Sequence, residues 1–314
     1  MRKHLLCTLP FVLALSVSAL TACGGGNVPS TNVPNASAVV PVQSVRPDKK
    51  SDLIYVSDQG TGDVYVYTYP QGTLSQTLTG FASPEGLCSD KKGNVWVVDG
   101  YNEDIVEYAH GGSTPINTIS EVNHNPQGCA IDPKNGDLAV ANLANVSTAK
   151  ATIAITNPKT KSSGWKFYAD SAYESFWYCG YDDKGNLFAS AYNGSVTGLS
   201  ELPKGASTLT NLKTSQSLFG PGGVQWDGKY LAVGNEQSTI YQFSVSGGKA
   251  TKQGSTSLGG AKGVYQFWIA GKDVFGADAG NSSVGVWKYP AGGSALKTIT
   301  GFNTPLGITI SRGK

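Results

Sequence analysis

One unit recurs six times along this chain, and that recurrence restricts the fold more than any other feature. An apolar strand ending in a small residue, usually polar, returns as Leu53-Ile54-Tyr55-Val56-Ser57-Asp58, Val95-Trp96-Val97-Val98-Asp99, Leu138-Ala139-Val140-Ala141-Asn142, Leu187-Phe188-Ala189-Ser190-Ala191, Leu231-Ala232-Val233-Gly234-Asn235 and Val274-Phe275-Gly276-Ala277-Asp278. Successive end points advance by 41, 43, 49, 44 and 43 residues, a mean period of 44. Within each period a short polar loop leads to a second strand, a glycine turn such as Tyr69-Pro70-Gln71-Gly72 to a third, and a Pro-x-Gly segment opens a fourth. Four short strands per period, punctuated by Gly, Pro and Asn, describe one propeller blade. The predicted fold is therefore all-β, a six-bladed β-propeller over residues 51–314. Residues 51–80 lack a Pro-x-Gly strand of their own, whereas Thr304-Pro305-Leu306-Gly307-Ile308 has no successor, so the C-terminal strand is expected to complete the N-terminal blade. Composition agrees: 40 glycines in 314 residues and 15% charged side chains imply many turns and argue against coiled coils and helical solenoids.

The run Pro84-Glu85-Gly86-Leu87-Cys88-Ser89-Asp90, continuing through Gly93-Asn94-Val95-Trp96-Val97-Val98-Asp99 to Asn102, resembles the NHL-repeat family of β-propellers. It is similar at lower fidelity to the regucalcin/gluconolactonase and streptogramin-lyase propellers. The resemblance spans residues 52–311 and implies architecture far more than activity, because this fold hosts unrelated functions. The third repeat departs most, with a 49-residue spacing and Glu174-Ser175-Phe176-Trp177-Tyr178 in place of Pro-x-Gly.

The N-terminus carries an address. Basic residues at Arg2 and Lys3, an apolar run from Leu5 to Leu20 and the sequence Leu20-Thr21-Ala22-Cys23 form an export signal that resembles the bacterial lipobox. Residues 1–22 are thus expected to be a signal peptide and Cys23 the lipidated residue. Gly24 after the cysteine implies, through that resemblance, the outer membrane of a Gram-negative host. Residues 23–50, rich in Gly, Pro, Ser, Asn and Val without periodicity, read as a flexible tether whose ends lie on the order of 30 Å apart. Removing residues 1–22 leaves 22 basic and 22 acidic side chains, and no Lys/Arg cluster provides a footprint for nucleic acid. The expected partners are the membrane, through the lipid, and an unknown ligand or protein; the propeller is expected to be monomeric.

Alternating strand direction sorts the loops onto two ends. The Pro-x-Gly segments and the loops after Asp58, Asp99, Asn142, Asn235 and Asp278 share one end, where innermost strands should line a funnel. The Asp/Asn series recurs as a folding device would, each side chain bonding the loop that follows it. Candidate ligand contacts are instead the positions that vary: Glu85, Gln127 and Lys262 at or near the x position, with Gly222 and Leu306 at the same place, and His124, Glu174 and Trp177 nearby. Such an assortment suits a small polar ligand, a glycan or a peptide. A metal-dependent lactonase centred on Glu85 is the enzymatic alternative, but a hard divalent ion needs about six oxygen ligands and this funnel offers one carboxylate. No catalytic set, metal site or cofactor is read from the chain.

Cys88 and Cys129 have opposite parity on neighbouring inner strands, which permits a bridge only if they face one another; with Cys179 they are read as small buried apolar residues. Lys91, Lys92, Lys134, Lys184, Lys229 and Lys272 fall in the hairpins of the opposite end and are read as solvated turn residues.

Overall fold

The computed structural model describes residues 50–121, 123–143, 151–160 and 164–314, all within the compact unit Gln43–Lys314. The expected signal peptide, Cys23 and nearly all of the tether lie outside them. Among the described residues the secondary structure is β throughout apart from one 3-10 turn at Ala279–Asn281, and no helix is long and apolar enough to cross a membrane.

Pro305–Ser311, Leu53–Asp58, Asp63–Thr68 and Leu74–Leu78 form the first four-stranded sheet in that spatial order. The C-terminal strand thus lies antiparallel beside the first, with Leu53 opposite Ser311 and Val56 opposite Ile308. Pro84–Ser89 through Pro115–Ser120 make the second sheet, Asn125–Ile131 through Lys166–Tyr168 the third, and Val264–Ala270, Asp273–Asp278, Ser283–Lys288 and Lys297–Thr300 the last. Between them lies a nine-stranded sheet. It consists of two four-stranded meanders, starting at Ser175–Tyr181 and at Val224–Trp226, whose outermost strands meet in a short parallel pairing of Lys213 with Lys249 and Thr214 with Ala250; Gly293–Ser294 adds to its long strand Lys249–Gly259. The first strands of these meanders and sheets touch in a closed circuit: Pro84–Ser89 with Asn125–Ile131, then Ser175–Tyr181, Val224–Trp226, Val264–Ala270, Pro305–Ser311 and back. The result is a propeller-like ring.

The period-2 geometry of a strand explains why these segments are apolar at every position and not at alternate ones. Leu53 and Tyr55 pack with Leu87, Val95 and Val97 of the second sheet, whereas Ile54 and Val56 pack with Phe275, Ala277 and Val284 of the last. Each inner strand therefore contributes to two cores, one on either face. Cys88 and Cys129 follow from the same rule. Leu87 faces the first sheet, so its neighbour Cys88 faces the third; Cys129 sits one position out of phase with Cys88 and faces back. The two face one another and form a disulfide with Cα atoms 5.6 Å apart, the alternative that parity left open, in place of the reading as merely small buried apolar residues; Cys179 is a buried free cysteine.

The hairpins opposite the funnel carry the lysines as expected. Each of Lys92, Lys134, Lys184 and Lys229 is exposed, and its backbone N–H bonds the aspartate two residues earlier at 2.7–2.9 Å. The aspartate shapes the turn and the lysine side chain extends outward, that of Lys229 placing its ammonium 4.8 Å from the Tyr230 ring centroid.

Candidate functional site

Asp58, Asp99 and Asp278 organise the funnel end, and they do so differently from expectation. Their carboxylates reach mainly to the segment that leads into the innermost strand, across the sheet, and less to the loop that follows. Asp99 accepts hydrogen bonds from the Ala82 and Ser83 backbone N–H groups, Asp278 from those of Lys262 and Gly263, and Asp58 from those of Asn303 and Thr304. Each thereby ties one repeat to the next. Asn142 breaks the pattern, donating instead to the Glu121 carboxylate at 2.6 Å.

Beyond this grip the innermost strands bulge at a recurrent place. Pro84 opposes Asp99 and Leu87 opposes Val97; Pro126 opposes Asn142 and Gly128 opposes Ala141; Phe176 opposes Ala191 and Tyr178 opposes Ser190; Val264 opposes Asp278 and Phe267 opposes Gly276; Pro305 opposes Asp58 and Gly307 opposes Ser57. In every case the inner strand carries one residue more than its partner, which re-aims a side chain out of the ladder. The residues at this place are Glu85, Gln127, Trp177, Tyr265 and Leu306, with Gly222 just ahead of Val224–Trp226. Tyr265, not Lys262, fills the position in the last sheet. Lys262 is exposed, and its part is the backbone hydrogen bond to Asp278.

The glycine after the bulge is needed for space. A Cβ on Gly86 would lie 2.8 Å from the Gln127 carbonyl oxygen, and one on Gly307 2.3 Å from that of Glu85, so the inner strands approach too closely for side chains at most of these positions. Tyr178 and Gln266 are the exceptions and fill the axis. Gln266 spans the ring: its Nε2 donates to the Leu87 carbonyl at 2.8 Å, while its Oε1 accepts from the N–H groups of Leu87 at 3.0 Å and Ile308 at 2.9 Å. Toward the opposite end lies an axial cavity of about 190 Å³ bordered by Gln266, the Cys88–Cys129 disulfide, Cys179, Trp226 and Trp268.

Glu85 and Gln127 do come together. Glu85 is buried; Oε1 accepts from Gln59 Nε2 at 2.7 Å and Ser83 Oγ at 2.8 Å, and Oε2 accepts from Gln127 Nε2 at 2.6 Å. Desolvation raises its carboxyl above the usual range against the opposing effect of these donors. Three neutral donors from three sheets make it a staple at the mouth of the axis. The carboxylate cage that the lactonase alternative requires is not assembled, since among the described residues no group of three or more His, Cys, Asp or Glu could hold a metal ion. The hydroxyl of fully buried Tyr178 lies beside Glu85 and Gln127 without reaching hydrogen-bond geometry to either, and burial drives its pKa far above that of a free phenol.

The other candidates disperse. His124 is stacked on Phe167 of the outermost strand of the third sheet, ring centroids 4.3 Å apart and planes at 8°, which takes it away from the Glu85 cluster. Glu174 is exposed, above the Gly194 turn. Trp177 is half-buried, with its indole N–H donating to Ser175 Oγ at 3.1 Å, whereas Phe176 and Tyr178 on either side belong to the core. The side chains that sequence reasoning missed are Gln59, Tyr178, Tyr265, Gln266 and Glu236. For Tyr265 a signal exists: counting back 13–15 residues from the end points Asp99, Asn142, Ala191, Asn235 and Asp278 of the recurring apolar strand reaches Glu85, Gln127, Trp177, Gly222 and Tyr265.

No known family profile matches the chain, and no curated protein matches it. Solved structures do. A chain from the crystal structure of a nidogen/laminin complex is 15% identical with a TM-score of 0.69, over 84% of this chain and 99% of that one. A protein of unknown function from Bacteroides caccae is 13% identical with a TM-score of 0.64, over 83% and 99%. The Cps50 (Swd1) beta-propeller domain of Myceliophteria thermophila is 11% identical with a TM-score of 0.56, over 81% and 88%. At such identities the likeness concerns the fold alone, and with the ring of sheets described above it establishes an all-β protein with the architecture of a β-propeller.

Proposed function

We propose that the chain is an exported, lipid-anchored interaction module whose propeller engages a small polar ligand, a glycan or a partner protein at the funnel end, and that the ring counts six four-stranded blades. Splitting the nine-stranded sheet at its parallel pairing supports the count, because each half is then a complete meander with its own innermost strand. The signal and lipobox pattern at residues 1–26 supports the anchor. The fold's neighbours favour interaction over catalysis: one matched chain comes from a complex of nidogen with laminin.

The observation that carries the reading is the apolar surface at the funnel end. Tyr101 is 81% exposed in the loop after Asp99, Val196 58% and Phe219 54%, and half-buried Trp177 and Tyr265 occupy the bulges between them. Most polar anchors of these loops are consumed internally, Glu174 and Glu236 excepted, so the surface left for a partner is largely apolar. A photo-activated crosslinker placed at Phe219 of the full chain should yield adducts in its native envelope, and one at Lys91 on the opposite end should not. Trp177→Ala should reduce the Phe219 adducts at least fivefold while changing stability by less than about 2 kcal/mol, since this ring is only half withdrawn from water. Equal adduct formation from both ends, or none from Phe219, would overturn the assignment.

A further inference from the structure

Carboxylates at the funnel end are engaged almost without exception. Asp58, Asp99 and Asp278 hold backbone amides, and Glu85 is held by three donors. Two are different: Glu174 is exposed above the Gly194 turn with no donor to its carboxylate among the described residues, and Glu236 lines a groove. No side-chain donor among the described residues reaches the Glu236 carboxylate, and neither ion pair found there, Lys288–Asp273 or Arg312–Asp52, includes it. It lines an open groove of about 670 Å³ between the two meanders of the nine-stranded sheet, with Tyr192, Thr197, Ser217, Phe219 and Gln237. No other acid and no Lys, Arg or His contributes to that lining.

The position of the carboxylate is specified by the backbone beneath it. A Cβ on Gly220 would fall 2.2 Å from Glu236 Cδ, and Gly220 adopts φ +74°, so a glycine is required twice over for the side chain to lie across this turn. Desolvation there raises the Glu236 carboxyl above its usual range, and the neighbouring Tyr265 phenol is raised by its own burial first and by the Glu236 charge second. A half-desolvated anion beside exposed Phe219 and the Tyr192 ring is a defined chemical environment. Anionic ligands are repelled, and a divalent metal would find one carboxylate and a few hydroxyls where it needs about six oxygens. A primary ammonium or guanidinium on an apolar stem satisfies both halves, pairing with the carboxylate at reduced dielectric and laying its stem and charge against aromatic faces.

We infer that the Glu236 groove is a binding site for an organic cation, an ammonium or guanidinium group carried either on a basic side chain of a partner protein or on a free small amine. This rests on the funnel-end interaction reading and specifies its chemistry. The test uses the full chain titrated by calorimetry with four probes: Nα-acetyl-lysine N-methylamide, its uncharged analogue Nα-acetyl-norleucine N-methylamide, agmatine and n-butylamine. The lysine probe should bind at least tenfold more strongly than the norleucine probe, the difference should shrink when salt is raised, and Glu236→Gln should abolish it. Phe219→Ala, which leaves the carboxylate in place, should weaken the lysine probe severalfold and guards against a folding defect in Glu236→Gln. Binding of any of the three cations above the norleucine level supports the site; comparing probes matched in head group, Nα-acetyl-lysine N-methylamide against n-butylamine, assigns it to a protein side chain where the amide-flanked probe is stronger and to a free amine where the bare one is. Equal binding of lysine and norleucine probes, no binding of any cation, or full binding by a folded Glu236→Gln variant would overturn it. The crosslinking result at Phe219 is independent of these probes, so failure here is distinguishable from failure of the interaction reading.

Discussion

Replacing Glu121 by glutamine should stabilise this protein at neutral and alkaline pH. Glu121 is 1% exposed and Asn142 fully buried; the amide donates to Glu121 Oε1 at 2.6 Å, yet Glu121 Oε2 and Asn142 Oδ1 are both buried acceptors without a donor among the described residues. A proton on Oε2 supplies the donor the pair lacks. Burial pushes the carboxyl up to about 8, with the nearby Glu103 charge adding to the rise and the Asn142 hydrogen bond opposing it. The native state therefore holds its proton where the unfolded chain, at 4.5, has released it. Stability from this group is complete below pH 4.5 and is lost as pH rises through about 8, because the unfolded state is the one that gains by ionising. At 1.36 kcal/mol per pKa unit the loss is on the order of 5 kcal/mol across that window, or about 10–20 °C in Tm for a domain of this size. Glutamine keeps an acceptor for Asn142 Nδ2 and supplies a permanent donor. Thermal unfolding of wild type and Glu121→Gln should be followed by circular dichroism from pH 4.5 to 9. The curves should converge at the acid end and diverge steadily above pH 5, with the variant higher. Glu85 is also raised by burial and tilts both curves alike, so the difference between them isolates Glu121. Parallel curves, or a variant less stable at pH 8, would refute the argument.

The Cys88–Cys129 bridge closes a loop of 41 residues, and Cys88→Ser/Cys129→Ser should cost about 4 kcal/mol in denaturant titrations under oxidising conditions, the penalty vanishing once the wild type is reduced. Gln266→Leu strands the Leu87 N–H and C=O and the Ile308 N–H inside the ring. At about 1–3 kcal/mol for each buried group, that variant should lose roughly 3–9 kcal/mol in equilibrium unfolding, and a loss under 1 kcal/mol would remove Gln266 from its bridging role.

The ring of sheets was legible because its signal is redundant. A strand such as Leu53–Asp58, buried on both faces, must be apolar throughout, and six copies of it set the period before any single residue needs interpreting. The pairing of Leu53–Asp58 with Pro305–Ser311 was equally readable, since each was incomplete alone. The site was less so. Lys262 precedes a glycine and imitates the repeat, whereas the true bulge in the last sheet, Val264-Tyr265-Gln266, has neither proline nor glycine. His124 sits two residues before Pro126, but its ring turns outward onto Phe167, a direction no periodicity encodes. Parity alone left Cys88 and Cys129 facing together or apart, and which it is depends on the neighbour each strand face meets. Glu236 carries no motif at all. Its distinction is a groove in which no described donor reaches its carboxylate, and a missing contact leaves no trace in sequence.

The first and last described strands are hydrogen-bond partners some 250 residues apart in the chain. Closure of the ring is therefore deferred until the C-terminal segment is available, and up to that moment Leu53–Asp58 presents a bare edge, apolar from Leu53 to Val56, to whatever lies beside it. If the chain is exported as proposed, N-terminus first, it would pass its translocation in that open state, and a holding chaperone would have a defined target and a defined time of release. The same adjacency means that the covalent ends of the ring can be moved. Joining residue 311 to residue 53 and reopening the chain in the Lys229 hairpin would let the first sheet form from contiguous sequence, converting a late long-range step into an early local one.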